Sequence, residues 1–159
     1  MRILQGTLTL VLLCSLVQIS HAQDGRYATH DGSQMVEQLP DGSSVMTSHY
    51  SQITFANDMN NLMDNMSGDC MGRFMISAEG VVGSASGTCV NDDGDGNTAS
   101  FWWRMDKMNT ADCADMCGSW GYYAGTGALK GINGNGTWER TKQFSNGSSG
   151  FWSGTVTTM

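Results

Sequence analysis

Short runs of alternating side chains, each ended by turn residues, constrain this chain more than any other feature of its sequence. Six such runs follow residue 69, namely CMGRFMISA, VVGSASGTCV, TASFWWRMD, SWGYYAGTG, GTWERTKQF and GFWSGTVTT. A period of two is typical of β-strands, and the glycine, asparagine and aspartate between the runs are typical of turns. The sequence therefore predicts an all-β, antiparallel fold, either a barrel or an open β-sandwich.

The preceding part of the chain is less regular. The run SVMTSHYSQITF predicts one more strand, whereas residues 23–44 are polar and turn-rich and predict an irregular lead-in, with at most a short edge strand over 34–39. Between this strand and the six runs, methionines recur at helical spacing among asparagines and aspartates, which are poor helix formers. We expect an excursion with at most one turn of helix there, and a single β-barrel domain over residues 45–159.

Aromatic side chains offer a core despite the 21 glycines of the chain. Glycine in a curved sheet beside an aromatic ring allows a barrel to bend. The aromatic residues expected to supply the core are Trp102, Trp103, Trp120, Tyr122, Tyr123, Trp138, Phe151 and Trp152.

The N-terminus has the three parts of a secretory signal peptide. Arg2 precedes an apolar run from Leu8 to Val17, and Ser20-His21-Ala22 forms a small-x-small cleavage site. The apolar run is shorter than the roughly 20 residues that span a bilayer. The sequence therefore predicts a signal peptide over residues 1–22, cleavage near Ala22, no membrane span, and a secreted or periplasmic product.

Charge and cysteine content narrow the function classes. A net charge of -7 without a basic cluster argues against nucleic acid as a partner. Beyond the signal, the four cysteines Cys70, Cys89, Cys113 and Cys117 predict two disulfides in an exported chain. Three pairings are open, and we favour Cys70 with Cys89 and Cys113 with Cys117. Zinc and C-x-x-C redox chemistry fit the spacing poorly.

The glycine-rich segment Gly125–Trp138, GTGALKGINGNGTW, resembles a hairpin of exported, bacterial-type small barrels similar to the allene oxide cyclase and dirigent proteins. The order of SGDC, GTCV, DDGDG and FWW upstream is also similar. The resemblance implies an eight-stranded barrel around an apolar cavity, in which the related proteins shape a reactive small molecule. No catalytic residue of those proteins matches a position here, so their activity is not carried over.

An acidic segment between two predicted strands has some features of a calcium loop. Asn91, Asp93 and Asp95 occupy the first, third and fifth ligand positions, and Gly96 follows at the sharp turn. The twelfth position, normally a bidentate glutamate, is Trp102. The same residue types are those of a β-turn. We expect a plain turn, with weak calcium binding as the alternative and no other cofactor.

Two further patterns carry weaker expectations. Thioether sulfurs, with one histidine nearby, are the ligands that Cu(I) prefers, although methionine also fills apolar gaps. The residues concerned are Met59, Met63, Met66, Met71, Met75 and His49. Asn65, Asn135 and Asn146 lie in N-x-S/T sequons, which carry glycans only in a eukaryotic source.

These features favour a non-catalytic protein that binds a small apolar ligand in the barrel or uses its aromatic surface for interaction. The first alternative is a cofactor-free isomerase or cyclase, and the second is a calcium- or copper-binding protein. Five side chains could point inward on their strands, without a spacing that marks a catalytic group. They are Tyr50, Arg73, Glu79, Arg104 and Glu139. The ligand and the oligomeric state are left open.

Overall fold

Eight antiparallel strands close into a barrel in a computed structural model, which describes residues 21–58 and 61–158. The strands are β1 His21–Gln38, β2 Ser44–Ala56, β3 Met66–Ile76, β4 Val82–Asp92, β5 Thr98–Thr110, β6 Cys113–Gly125, β7 Asn133–Phe144 and β8 Gly147–Thr157. Each strand pairs with its neighbours in sequence, and β1 closes the barrel by pairing with β8. The all-β prediction is confirmed, with a closed barrel in place of the open sandwich.

The structure differs from the sequence prediction at residues 23–44, which do not form an irregular lead-in. Residues 23–38 belong to β1, which pairs with β8 on one side and β2 on the other, with a bulge between Asp31 and Gln34. A strand bonded on both sides needs no apolar face of its own, because its neighbours supply the backbone partners. The predicted signal peptide lies almost entirely in residues 1–20, outside the described residues, and stays a prediction.

The methionine-rich connection between β2 and β3 contains bends and turns, and residues 62–65 form a turn. Asn65 has φ +54°, a left-handed conformation that asparagine tolerates better than most residues. In the described ranges the one helical element is a 3-10 helix, Gly127–Leu129, between β6 and β7. The glycine-rich segment Gly125–Trp138 therefore joins the antiparallel neighbours β6 and β7, as a hairpin whose long connection contains the 3-10 turn.

The two ends of the barrel carry different connections. We call the end with connections 57–65, 93–97 and 126–132 the loop end, and the end with turns 39–43, 77–81, 111–112 and 145–146 the hairpin end. At the loop end, Met63, Leu129 and Ile132 reach from the connections into the buried core. Apolar side chains from the loops therefore fill that end of the barrel.

Glycine allows one tryptophan to lie against the inner wall. Gly72 and Gly87 face each other across β3 and β4, and a Cβ on either would come within 2.8 Å of the Trp103 ring. Real Cβ contacts do not approach that closely, so the indole occupies space that only glycine leaves free. The position of Trp103 in the interior thus depends on two glycines from neighbouring strands.

Both favoured disulfides are present. Cys70 and Cys89 lie directly opposite each other on β3 and β4 and are buried inside the barrel. Cys113 and Cys117 join two positions of β6 next to the β5–β6 turn, at the hairpin end. Within the described ranges, no helix has the length and apolar content needed to cross a bilayer.

Candidate functional site

A cavity of about 250 Å³ occupies the barrel interior and extends toward the hairpin end. Its walls come from inward-facing side chains of all eight strands and from Met63 of the β2–β3 connection. The lining residues that the chemistry depends on are Tyr27, Asp31, Tyr50, Trp103, Trp138 and Arg140. The volume lies just under the range of roughly 300–1,000 Å³ typical of drug-sized ligands, so the cavity suits a compact molecule.

Aromatic rings around Trp103 form the main wall of the cavity. The Trp103 ring centroid lies 5.9 Å from those of Trp138 and Phe74 and 6.5 Å from that of Tyr50. The Trp138 and Tyr50 contacts are edge-to-face, a favourable arrangement of aromatic pairs. Rings with different orientations therefore line the space.

Two tyrosine hydroxyls lie in this apolar environment. Burial raises the pKa of Tyr27 above its ordinary value, with a partly opposing effect of the Arg140 guanidinium. Burial also raises the pKa of Tyr50, and the nearby indole of Trp103 partly opposes this shift, although its N–H lacks the geometry of a hydrogen bond to the phenol. Both phenols are therefore neutral at physiological pH and can donate or accept a hydrogen bond.

Among the described residues that line the cavity, Arg140 is the one basic residue, and its charge is already matched. Its Nε and Nη2 atoms each donate to an Asp115 carboxylate oxygen over 2.7 Å, and Nη1 donates to Gln143 over 2.9 Å. The side chains of Arg140 and Asp115 are 20% and 29% exposed, respectively, so this ion pair is partly shielded from water. This bidentate geometry fixes the guanidinium at the hairpin end and neutralises it.

Asp31 is the one acidic residue in the described part of the cavity lining, and it lies next to Tyr50 across β1 and β2. Its carboxylate contributes to the raised pKa of Tyr50, which places the charge close to that phenol. None of the three ion pairs found in the described ranges includes Asp31. The cavity therefore contains one carboxylate whose charge no neighbouring cation balances.

Three buried donors have no hydrogen-bond partner in the described part of the chain, and two of them belong to aromatic side chains. The first is Trp103 Nε1 in the cavity wall, the second is the Tyr122 hydroxyl, which burial keeps neutral by raising its pKa, and the third is Asn91 Nδ2. An unpaired buried polar group costs stability. A ligand oxygen near Trp103 would satisfy the first of these groups.

The predicted metal ligands lie partly on a strand and partly in the turn that follows it. Asn91 is 1% exposed and shares the inward face of β4 with Cys89, whereas Asp93 and Asp95 lie in the β4–β5 turn. The side-chain amide atoms of Asn91 have no hydrogen-bond partner in the described ranges. Sequence alternation could have indicated this separation, because Asn91 and Cys89 are two residues apart.

The Asp93 carboxylate finds its hydrogen-bond donors within the acidic turn itself. The Asp93 carboxylate accepts hydrogen bonds from the side chain and backbone N–H of Asn97 and from the backbone N–H of Asp95. These hydrogen bonds, that of the Asn97 side chain first, lower the pKa of Asp93. Gly94 and Gly96 have φ near +85°, as such a turn requires. Calcium binding at this turn stays a prediction, and among the described residues no group of His, Cys, Asp and Glu could hold a metal.

The candidate copper ligands fall on two sides of the barrel wall. Met63 and Met66 are buried inside, whereas Met71 and Met75 are exposed, with His49 opposite Met71 on the outer face of β2 and β3. Met59 lies outside the described residues. The described thioethers therefore do not form one cluster, and copper binding stays a prediction.

Of the five side chains that could point inward, Tyr50 lines the cavity. Arg73, Arg104 and Glu139 are exposed on the outer face, and Glu79 lies in the β3–β4 turn. The sequence analysis did not identify three residues that line the cavity, namely Tyr27, Asp31 and Arg140. The period of two within β1 places Tyr27 and Asp31 on one face, but only the recognition of β1 as a strand would have given that signal.

The aromatic residues expected in the core divide between the two faces. Trp103, Trp120, Tyr122 and Trp152 are buried and Trp138 is half-buried, but the outer surface carries Trp102, Tyr123 and Phe151. The guanidinium carbon of Arg104 lies 5.8 Å from the centre of the Trp102 ring. The exposed rings leave the predicted surface-interaction role open.

Chemically, the cavity combines aromatic walls, two neutral phenols, a guanidinium whose charge is paired with Asp115, and one carboxylate without an ion-pair partner among the described residues. Such a site can hold an apolar ring by contact and orient it through a few hydrogen bonds. A lone carboxylate next to a phenol can also accept a proton from a bound molecule.

The barrel is similar to those of solved dirigent proteins. The pterocarpan synthase dirigent protein GePTS1 aligns with a TM-score of 0.53 at 12% identity, covering 96% of this chain and 97% of that chain. The pterocarpan synthase dirigent protein PsPTS1 aligns with a TM-score of 0.50 at 14% identity, covering 87% and 96%. The chain therefore has a dirigent-like barrel, a likeness of fold that bears neither on its source nor on its glycine-rich segment. No protein family profile and no curated protein matches its sequence.

Proposed function

We propose that this chain is a non-catalytic binding protein that holds a small, largely apolar molecule inside its barrel. The observation that supports the proposal is the cavity of about 250 Å³, walled by the rings around Trp103 and bordered by a few polar groups at the hairpin end. Buried aromatic surface provides affinity, and the phenols and the indole N–H fix orientation. The dirigent-like fold of the barrel is compatible with such a role.

We further propose that binding takes place outside the reducing cytoplasm. The two disulfides support this location, since such bonds persist mainly in oxidising compartments. The signal peptide predicted over residues 1–22 would also direct the chain out of the cytoplasm.

Native mass spectrometry of the chain purified from its own source tests the binding role. We expect an organic adduct on the polypeptide mass. Ser48 is buried and lines the cavity, so Ser48→Trp fills the cavity and should remove the adduct. Ser51→Trp places the same ring on the exposed face of the same strand and should retain it.

The outcomes separate the alternatives. An adduct that persists in Ser48→Trp, with the fold confirmed by circular dichroism, would mean that the ligand lies elsewhere. A wild-type chain without any adduct would remove the case for tight binding.

A cofactor-free isomerase or cyclase is the second candidate, and one observation favours it. The Asp31 carboxylate and the hydroxyls of Tyr27 and Tyr50 share one apolar cavity, where a proton could leave one atom of a ligand and return to another. Incubating the extracted adduct with fresh protein would reveal this activity. A catalyst would produce a compound of equal mass and different chromatographic retention, and Asp31→Asn would stop the conversion.

A further inference from the structure

The charge balance of the cavity narrows the class of ligand. Arg140, the basic lining residue, is paired through two hydrogen bonds with Asp115, so these two charges cancel. Asp31, the acidic lining residue, has no ion-pair partner in the described ranges. Among the described residues, the two charged side chains that line the cavity, taken with the ion-pair partner of Arg140, therefore sum to -1, and Asp31 carries that charge.

The aromatic walls add to this negative potential. The π face of each ring carries partial negative charge, and a cation over a tryptophan or tyrosine face is attracted to it. Trp103, Trp138, Phe74 and Tyr50 supply rings at interplanar angles between 48° and 88°. All four residues line the cavity, so a group bound there can contact several rings, as in sites that recognise quaternary ammonium groups.

An anionic ligand would meet the opposite conditions. Its charge would lie near Asp31 and against the ring faces, and the guanidinium that could attract it already has both Nε and Nη2 engaged with Asp115. The net charge of -7 on the whole chain also favours the approach of cations over anions. A neutral ligand would leave the Asp31 charge unbalanced.

From these observations we infer that the cavity recognises a small organic cation, an ammonium group attached to an apolar or aromatic body. The inference rests on the proposed binding function and specifies its ligand class. The ammonium group lies beside Asp31 and the rings around Trp103, and the apolar body extends along the inner wall toward Phe101 and Trp120.

Three para-substituted benzyl alcohols of similar size test this inference. They carry a trimethylammonio group, a tert-butyl group or a carboxylate, so that charge is the main difference between them. Binding is measured by isothermal titration calorimetry on the purified chain. We expect the trimethylammonio compound to bind at least about tenfold more tightly than the tert-butyl compound, since cation–π contacts alone contribute up to roughly 30-fold in affinity. The carboxylate should bind most weakly.

Asp31→Asn is the decisive variant, because the Asp31 carboxylate makes no side-chain hydrogen bond or ion pair that the substitution would break in the described ranges. It should reduce the preference for the cation to less than about threefold, chiefly by weakening the binding of the trimethylammonio compound. Asp69→Asn, on the exposed face of β3, removes the same charge outside the barrel and should retain the full preference.

Equal affinities of the cationic and tert-butyl compounds would overturn the inference while leaving the binding function intact. A cation preference that survives in Asp31→Asn would overturn the assignment to this carboxylate. If none of the three compounds binds, the ammonium ligand class is rejected, and the adduct found on the source-purified chain decides separately whether the barrel binds anything.

Discussion

The loop end and the hairpin end of the barrel differ in what fills them. At the loop end, side chains from the connections reach inward, and Met63, Leu129 and Ile132 pack with the buried Met66 into a core. At the hairpin end the connections are short, about two to five residues, and the cavity lining there includes Asp31 and Arg140, which is paired with Asp115.

The difference shows how one continuous barrel can supply both stability and a site. Long connections carry enough apolar side chains to close one end, whereas short connections leave the other end to the strands themselves. The strands must then provide polar residues where the cavity meets solvent. We therefore expect substitutions at the loop end to lower stability and substitutions at the hairpin end to change binding.

The largest contrast should come from two methionines on opposite ends. Met66 is 0% exposed at the start of β3, and Met66→Ala should lower the free energy of unfolding by about 2–5 kcal/mol. Met46 is half-buried and borders the cavity, so Met46→Ala should cost about 1 kcal/mol and enlarge the site. Guanidinium unfolding monitored by tryptophan fluorescence measures both. Equal losses would show that the hairpin end is packed as tightly as the loop end.

The two disulfides give a contrast of intermediate size. Cys70 and Cys89 close a loop with a sequence separation of 19, and replacing both by alanine should cost about 3 kcal/mol through the entropy of the unfolded chain. The separation of 4 between Cys113 and Cys117 predicts a smaller loss, about 2 kcal/mol by the same relation. Urea unfolding of the two double variants is the test. A larger effect at Cys113 and Cys117 would mean that this bridge has a role beyond closing its loop.

The smallest effect concerns alkaline pH and the buried tyrosines. Burial raises the pKa of Tyr122, as it does those of Tyr27 and Tyr50, above the unfolded value of about 10. The unfolded chain then loses protons first, so stability is full below about pH 10 and falls above it, by up to about 1.4 kcal/mol per pH unit for each tyrosine.

Phenylalanine variants show how much each tyrosine contributes to the loss of stability at alkaline pH. Tyr122→Phe should reduce the alkaline slope and be neutral or slightly stabilising at pH 7, because the Tyr122 hydroxyl has no hydrogen-bond partner among the described residues. Unfolding measured at several pH values between 8 and 11 is the test, with Tyr123→Phe on the outer surface as the control. A slope that Tyr122→Phe leaves unchanged would contradict the assignment.

Part of the fold followed from sequence because its signals are local. The period of two over CMGRFMISA and GFWSGTVTT identifies strands that the structure contains as parts of β3 and β8. Strand β1 gave no such signal, because its polar residues become a strand only when β2 and β8 bond to it on both sides. The disulfide pairing was one of three, and the register that places Cys70 opposite Cys89 selected it.

Much less of the candidate site than of the fold could be predicted from the sequence. Trp102 and Trp103 are adjacent and chemically alike, yet one lies on the outer face and the other forms the cavity wall. Which of the two points inward depends on the strand register, and a shift of one residue would exchange them. Arg140 and Asp115 come from different strands, and only the pairing of β6 with β7 brings them within 2.7 Å.

The sequence by itself determined an antiparallel β protein with turns at glycine, asparagine and aspartate, because alternation and turn propensity act over a few neighbouring residues. The tertiary structure decided that the sheet closes, that Asn91 faces inward while Asp93 stays in the turn, and that Asp31 lines the same cavity as Trp103. These outcomes depend on pairing between residues far apart in the chain. The backbone hydrogen bonds that fix such pairing are the same for every residue type, so they leave little trace in the order of the side chains.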